Sequence, residues 1–230
     1  HYIQAIKKRR IPLFLISGVF RKDHIFFKAY GGLFRQLLNG FSHFFVQNEN
    51  SKKLLSSIGI DNCEVTGDTR FDRVCETAEN IKGIPVVEQF KGSDQILIAG
   101  STWPADEEVL FDFINNSKSE LKYIIAPHEV KEENINRIMN SLSVKTIRYS
   151  QTDEQPLQDF KVLIIDNIGM LSMLYQYGHI AYIGGAFGKN VHNILEAAVF
   201  GIPVIYGPNY FKFKEAIDLV EKGGAFSVKS

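Results

Sequence analysis

The sequence predicts an α/β protein built on parallel sheet with crossover helices. Short β-rich runs alternate with segments of helical periodicity nearly throughout, and glycines stop several of the helical segments. The 230 residues are 45% hydrophobic and 23% charged, enough to bury a sizeable core in one large or two small domains. That composition excludes a disordered chain, a collagen and a coiled coil.

Residues 12–17 read as the first strand, a helix lies around 33–38, and 44–47 form the next strand. A helix opened by Ser51 carries Leu54, Leu55 and Ile58 on one face and ends at Gly59. Residues 64–66 are a third short strand, leading into Gly67-Asp68-Thr69-Arg70-Phe71-Asp72. Between about Glu76 and Gly92 the apolar periodicity weakens and Gly83, Pro85 and Gly92 appear. A linker is expected there, dividing the chain into 1–82 and 83–230.

The second part opens with a strand over 95–99. After Gly100-Ser101-Thr102 comes a helix with Pro104 and the acids Asp106, Glu107 and Glu108 in its first turn, residues that suit a helix N-terminus. Residues 123–126 form the next strand, and Ile135, Ile138, Met139 and Leu142 recur at i, i+3, i+4 and i+7 of the helix behind it. Strands over 144–148 and 162–166, a short helix over 171–177, a strand over 180–183, a helix over 193–200 ended by Gly201 and a strand over 203–206 follow. The last helix places Phe213, Ala216, Ile217 and Val220 on one face and stops at Gly223-Gly224. The chain opens at His1 without a methionine or signal-like segment and ends at Ser230 in a strand-like stretch, so it reads as part of a longer protein.

Charge narrows the function. Lysine plus arginine (26) equal aspartate plus glutamate (26), so no overall bias points to nucleic acid as a partner. The distribution is uneven: residues 1–53 hold ten basic side chains against Asp23 and Glu49, a net +8, and the remainder carries −8. Phe14, Phe20, Phe26, Phe27, Tyr30, Phe34, Phe41, Phe44 and Phe45 are interleaved with those positive charges. The mixture suits an anionic membrane surface and equally a buried sheet with a basic exterior; single-stranded nucleic acid is a third use of it. Cys63 and Cys75 have no Cys or His partners at ligand spacing, which points away from zinc and disulfides and towards a reducing compartment. The longest uncharged run, 167–188, is broken by Gln176, His179 and five glycines and is poor material for a membrane span.

In a doubly wound sheet ligands gather where strand ends lead into helix N-termini. Four loops have suitable composition: Gly100-Ser101-Thr102, Pro127-His128-Glu129, Asp166-Asn167-Ile168-Gly169, and Gly184-Gly185-Ala186-Phe187-Gly188-Lys189-Asn190-Val191-His192-Asn193. The last is the richest, because glycines let backbone approach a phosphate, Lys189 supplies charge and the following helix supplies its dipole. Glu196, four residues after His192 on that helix, can accept hydrogen bonds from two ribose hydroxyls; the alternative is a solvated surface charge, although the helix is apolar nearly all round. His128 suits a structural role as well as ligand contact, and Ser101 and Thr102 suit a helix cap. The dinucleotide fingerprint G-x-G-x-x-G with a later acid is missing, as are a Walker-type lysine and an Asp-x-Asp pair for metal. A metal-free nucleotide site is what remains.

Several motifs in one order carry a more specific message. His43-Phe44-Phe45-Val46-Gln47-Asn48-Glu49, Val65-Thr66-Gly67-Asp68-Thr69-Arg70-Phe71-Asp72, Ala99-Gly100-Ser101-Thr102-Trp103, Gly184-Gly185 with His192-Asn193-Ile194-Leu195-Glu196, and Tyr206-Gly207-Pro208 resemble the 3-deoxy-D-manno-octulosonic acid (Kdo) transferases of Gram-negative lipopolysaccharide synthesis. The resemblance implies a glycosyltransferase B fold of two Rossmann-like domains, the first incomplete: 1–82 as the last part of the acceptor domain and 83–230 as the donor domain. It implies CMP-Kdo as donor, lipid A precursor as acceptor, inversion at the anomeric carbon, no metal or other cofactor, and work at the cytoplasmic face of the inner membrane, peripheral or anchored by a segment outside this sequence. Ser101, Thr102, His128, Gly169, Gly185, Lys189, Asn193 and Glu196 are the implied donor-binding residues. The catalytic base is implied to lie upstream of His1, so the 230 residues alone are expected to bind nucleotide without turnover. The family's Pro-Arg-His reads Pro127-His128 here, leaving Lys189 or Arg148 to replace that arginine. A non-catalytic nucleotide-binding or membrane-interaction module, and a related nucleotide-sugar epimerase, are the competing readings.

Overall fold

The computed structural model describes residues 2–153 and 155–229; His1, Glu154 and Ser230, the last of which the strand-like end had included, lie outside the described residues. The chain divides into two compact units, His1–Arg73 and Val74–Ser230.

The first unit contains α1 (Tyr2–Lys8), β1 (Phe14–Gly18), α2 (Gly32–Leu38), β2 (His43–Val46), α3 (Glu49–Ser56) and β3 (Cys63–Val65), and α4 (Thr69–Glu79) starts within it. Its strands are parallel in the order β1-β2-β3. Phe20, Leu38, Phe44, Val46 and Leu55 form the core, with Phe26, Phe27 and Phe41 packed against it. Several aromatics of the basic segment are thus buried, whereas Phe14, Tyr30 and Phe34 are exposed together with Ile16 and Leu33. The helix expected to open at Ser51 opens earlier. Asn48 is its cap, accepting the Ser51 N–H at 2.9 Å, and the buried Ser51 hydroxyl instead accepts the Phe20 N–H at 2.9 Å.

In the second unit α5 (Pro85–Lys91), β4 (Ile96–Thr102), α6 (Pro104–Asn116), β5 (Lys122–Pro127), α7 (Glu132–Ser141), β6 (Thr146–Arg148), β7 (Val162–Ile164), α8 (Leu171–Leu174), β8 (Ile180–Ile183), α9 (Leu195–Ala198), β9 (Val204–Tyr206), α10 (Lys214–Glu221) and β10 (Ala225–Ser227) follow in order. The stretch read as a linker is largely helical: α4 and α5 occupy it, and Val87 and Phe90 of α5 are fully buried. Proline at the start of α5 and Gly92 at its end, both read as breakers, are its terminal punctuation.

The seven strands are all parallel, in the order β10-β9-β8-β4-β5-β7-β6. Side chains alternate across the sheet with period two. Ile96, Ile98, Ile124, Leu163 and Ile183 face one core with Phe90 of α5, Leu174 of α8, Leu195 of α9 and Ala216 of α10. Leu97, Ala99, Tyr123, Ile125, Ile164 and Tyr182 face the other with Leu110 and Phe111 of α6 and Ile135 and Ile138 of α7. Helices therefore cover both faces, which explains why the central strands read as unbroken apolar runs.

Candidate functional site

The sheet order creates a crevice. From β4 the chain crosses through α6 to β5 on one side, whereas β8, on the other side of β4, leads through α9 to β9. Because α6 and α9 pack on opposite faces, the chain turns to opposite sides of the sheet after β4 and after β8. This is the topological switch point at which open α/β sheets hold ligands.

Glycine lets these loops approach. A Cβ on Gly184 would collide with the Ser101 carbonyl and Thr102 Cα, and the Gly184 N–H donates to the Gly100 carbonyl at 2.9 Å. Gly185 has φ +94°, a left-handed conformation natural to glycine. Its N–H donates to Asp106 Oδ2 at 2.8 Å, the same oxygen that accepts the Trp103 N–H at 3.0 Å, while Oδ1 accepts the Tyr182 hydroxyl at 2.8 Å. Asp106 thus caps α6 and ties the two loops together. Burial, then the adjacent Asp106 charge, pushes the Tyr182 hydroxyl pKa well up. Asp106 and Glu107, read as acids suited to the helix N-terminus, are both buried. Glu107 accepts the Thr102 hydroxyl at 2.9 Å and pairs with Arg137 of α7.

Ser101 is strained. It has φ +54° at the end of β4, a region that costs a side chain about 1–2 kcal/mol. It lines a small cavity of about 120 Å³ with His128, Asn167, Gly169 and the intervening Pro127 and Ile168. A larger cavity of about 770 Å³ is lined by Trp103, Pro104, Gly185, Lys189, Asn190 and His192. The Asn190 Oδ1 in its wall is buried without a hydrogen-bond partner, an acceptor that a bound hydroxyl or N–H group would satisfy.

Three rings stand at these cavities. The indole of Trp103 and the imidazole of His192 are nearly coplanar, 7° apart, and joined edge to edge by a hydrogen bond from Trp103 Nε1 to His192 Nε2 of 2.8 Å. His128 stacks on both, with centroid distances of 4.4 Å to Trp103 and 4.7 Å to His192. Burial, and secondarily His128, depress the His192 pKa, with Asp106 acting in the opposite sense.

Of the expected site residues, the structure groups Ser101, His128 and Gly169 at the small cavity and Gly185 and Lys189 at the large one. Thr102 is turned inward, its hydroxyl held by Glu107. Asn193 donates from Nδ2 to Glu196 Oε1 at 2.9 Å. Two expectations change. The helix read over 193–200 is α9, four residues long, so His192 precedes it and does not share a helical face with Glu196; its N–H instead donates to the Gly184 carbonyl at 3.1 Å and closes the glycine loop. Arg148 lies on β6, at the far edge of the sheet, and is engaged by Glu132 at 2.8 Å and by Asn136. It is not placed to replace an arginine at the crevice. Trp103 and Asp106 were missed as site residues, because their partners are 89 and 79 positions away in sequence.

Among the described residues no group of three or more His, Cys, Asp or Glu could hold a metal ion, and no helix is long and apolar enough to cross a membrane.

Residues 1–73 match the family profile described as 3-deoxy-D-manno-octulosonic-acid transferase (kdotransferase). The chain is 32% identical over 206 residues to the 3-deoxy-D-manno-octulosonic acid transferase of Rickettsia bellii, covering 86% of this chain and 48% of that protein. It is 29% identical over 210 residues to the enzyme of the same name from Aquifex aeolicus, covering 88% and 54%. The chain thus spans about half the length of the curated relatives it matches. Among solved structures, the C-terminal CMP-Kdo binding domain of WaaA from Acinetobacter baumannii superposes with a TM-score of 0.53 at 22% identity, covering 69% of this chain and 83% of that one. A putative UDP-N-acetylglucosamine 2-epimerase from Listeria monocytogenes superposes over 99% of this chain and 58% of that one with a TM-score of 0.63 at 13% identity. Both share the parallel α/β fold.

Proposed function

We propose that this chain, a relative of the Kdo transferases, is the donor-binding portion and part of the acceptor-binding portion of an enzyme that transfers Kdo from CMP-Kdo to a lipid A precursor. The crevice at the ends of β4 and β8 carries the reading: two glycine-bearing loops and a cation in Lys189 gather where a parallel sheet receives a nucleotide. In this reading Ser101, His128 and Gly169 meet one part of the donor, Gly185 and Lys189 meet another, and Glu196, held by Asn193, accepts the ribose hydroxyls. The acceptor hydroxyl attacks the anomeric carbon of Kdo from the face opposite CMP, and CMP leaves with inversion. Lys189 and the N-terminal end of α6 offset the charge growing on the departing phosphate. The first unit is assigned to the acceptor-binding portion. Exposed apolar side chains in the same unit, Phe14, Ile16, Tyr30 and Leu33, together with the basic Lys7, Lys8, Arg9 and Arg10, suit it to an anionic membrane surface, in keeping with a lipid acceptor and a place on the cytoplasmic face of the inner membrane.

The epimerase reading is less favoured because the epimerases share only the fold, whereas sequence kinship runs to Kdo transferases. Calorimetric titration with CMP, UMP and GMP separates the two. CMP is expected to bind most tightly, and Glu196→Ala to weaken it tenfold or more, since each hydrogen bond to a charged group contributes about 1.5–3 kcal/mol. A preference for UMP, or CMP affinity indifferent to Glu196→Ala in a folded protein, would overturn the assignment.

A further inference from the structure

An indole N–H can donate a hydrogen bond and cannot accept one. The 2.8 Å contact from Trp103 Nε1 therefore requires a lone pair on His192 Nε2, and the proton of a neutral His192 then resides on Nδ1. Two further features hold that state. The coplanar arrangement, 7° between ring planes, aligns the Nε2 lone pair with the indole N–H, and His128, stacked at 4.7 Å, disfavours the protonated form of His192. The charged groups on the surrounding elements are Asp106 of α6, Lys189 of the glycine loop, Glu129 beside His128 and Glu196 of α9. Asp106 is occupied by three donors, Glu129 is 3.6 Å from Lys131, and Glu196 accepts from Asn193. Lys189 lines the same cavity as His192.

We propose that Trp103 is a positioning residue: by donating to His192 Nε2 it fixes the imidazole as the uncharged Nδ1–H tautomer, so that His192 meets an oxygen of the nucleotide-sugar as a hydrogen-bond donor and not as a cation. The ligand named here rests on the functional reading above; the tautomer does not. Fixing the proton on one nitrogen gives the crevice a directional donor without a charge that would also attract competing anions, and it leaves Lys189 as the cation lining the larger cavity.

The decisive variant is Trp103→Phe, which keeps a ring against His128 and removes the N–H. Long-range nitrogen–proton NMR correlations on the uniformly labelled 230-residue protein, with His192 assigned by comparison with His192→Gln, are expected to show Nδ1 protonated and Nε2 unprotonated from pH 6.5 to 8. In Trp103→Phe the tautomers should mix and the His192 pKa should rise, because a hydrogen bond to the neutral form has been removed. CMP affinity is the second measurement. Since the phosphate of CMP itself titrates near pH 6, the ratio of variant to wild-type affinity is followed. That ratio should rise about threefold or more as pH falls from 8 to 6.5, when imidazolium forms beside the anion in the variant alone. A protonated Nε2 in the wild type, or a ratio that is flat with pH alongside an unchanged His192 pKa, would overturn the proposal. Failure of the wild-type protein to bind CMP at any pH sinks the functional reading and the ligand named here, and the NMR arm distinguishes that result from failure of the tautomer assignment.

Discussion

Removing the Asp106 carboxylate should be among the most damaging single changes in the second unit. Its side chain is fully buried and accepts three hydrogen bonds, from the Trp103 N–H at 3.0 Å, the Gly185 N–H at 2.8 Å and the Tyr182 hydroxyl at 2.8 Å. Asp106→Ala leaves these donors without a partner and opens a void. Hydrogen bonds to a charged group are worth about 1.5–3 kcal/mol each, but the carboxylate also loses its hydration on folding, so the three do not simply add. A net loss of about 3–5 kcal/mol is expected. Asp106→Asn is the control. Its carbonyl oxygen can stay at the Oδ2 position and keep both backbone donors, and the Tyr182 hydroxyl can rotate to accept from the new amide, so the loss should be about 1–2 kcal/mol. Urea unfolding followed through the emission of Trp103, the single tryptophan, reads this unit directly. The reasoning fails if Asp106→Ala costs under about 1 kcal/mol, or if the alanine and asparagine variants are equally destabilised.

Three further outcomes follow from the same geometry. Ser101→Gly should relieve the left-handed strain and stabilise the second unit by about 1 kcal/mol while weakening CMP; thermal unfolding and CMP titration together check it, and a gain in both would remove Ser101 from the donor site. Burial alone would raise the Asp68 pKa, but hydrogen bonds from the Arg70 side chain and backbone, the Arg70 charge and the Ser17 hydroxyl outweigh it and hold the carboxyl below its ordinary 3.8. A depressed folded-state pKa means that this contribution, about 1 kcal/mol at most for a pair with a half-exposed arginine, is present above 3.8 and lost as pH falls through the folded value; the stability difference between wild type and Asp68→Asn should shrink as pH is lowered through that window. Binding to liposomes containing anionic lipid should weaken as salt rises and when Lys7, Lys8, Arg9 and Arg10 are neutralised, because exposed charges are screened beyond about 10 Å at 0.1 M; sedimentation with vesicles that is indifferent to both would count against an electrostatic membrane surface.

The central strands were legible because they are short apolar runs, and Ile180–Ile183 matches its expected bounds residue for residue. Helix ends were legible where a glycine takes a left-handed φ, as Gly59 at +79° and Gly201 at +69° do. Helices failed where burial is uneven. In α5 the buried Val87 and Phe90 sit between Pro85 and Gly92, so a single apolar turn was hidden between two breakers. The helix over 193–200 read too long because its residues are apolar nearly all round, so that composition marked no end, and the hydrogen-bonded loop through His192 takes up its first residues.

The site was legible as loops and illegible as partnerships. Glycine, serine, lysine and histidine after strands mark where a ligand can sit, since backbone conformation is a local property. What those loops do once there depends on groups far away in sequence. Glutamate and aspartate in the first turn of a helix ordinarily face water and its dipole, and nothing local distinguishes Asp106, which locks Gly185, from Glu108, which is exposed. Trp103 reads locally as a residue between a strand and a helix; only the fold brings its N–H to His192. The division has a physical origin. A parallel sheet joins segments through crossovers, so the groups that meet at its switch point come from different βα units. Residue types can therefore nominate the crevice, while the protonation states and tautomers on which binding depends are set by contacts made only after β4 and β8 have paired.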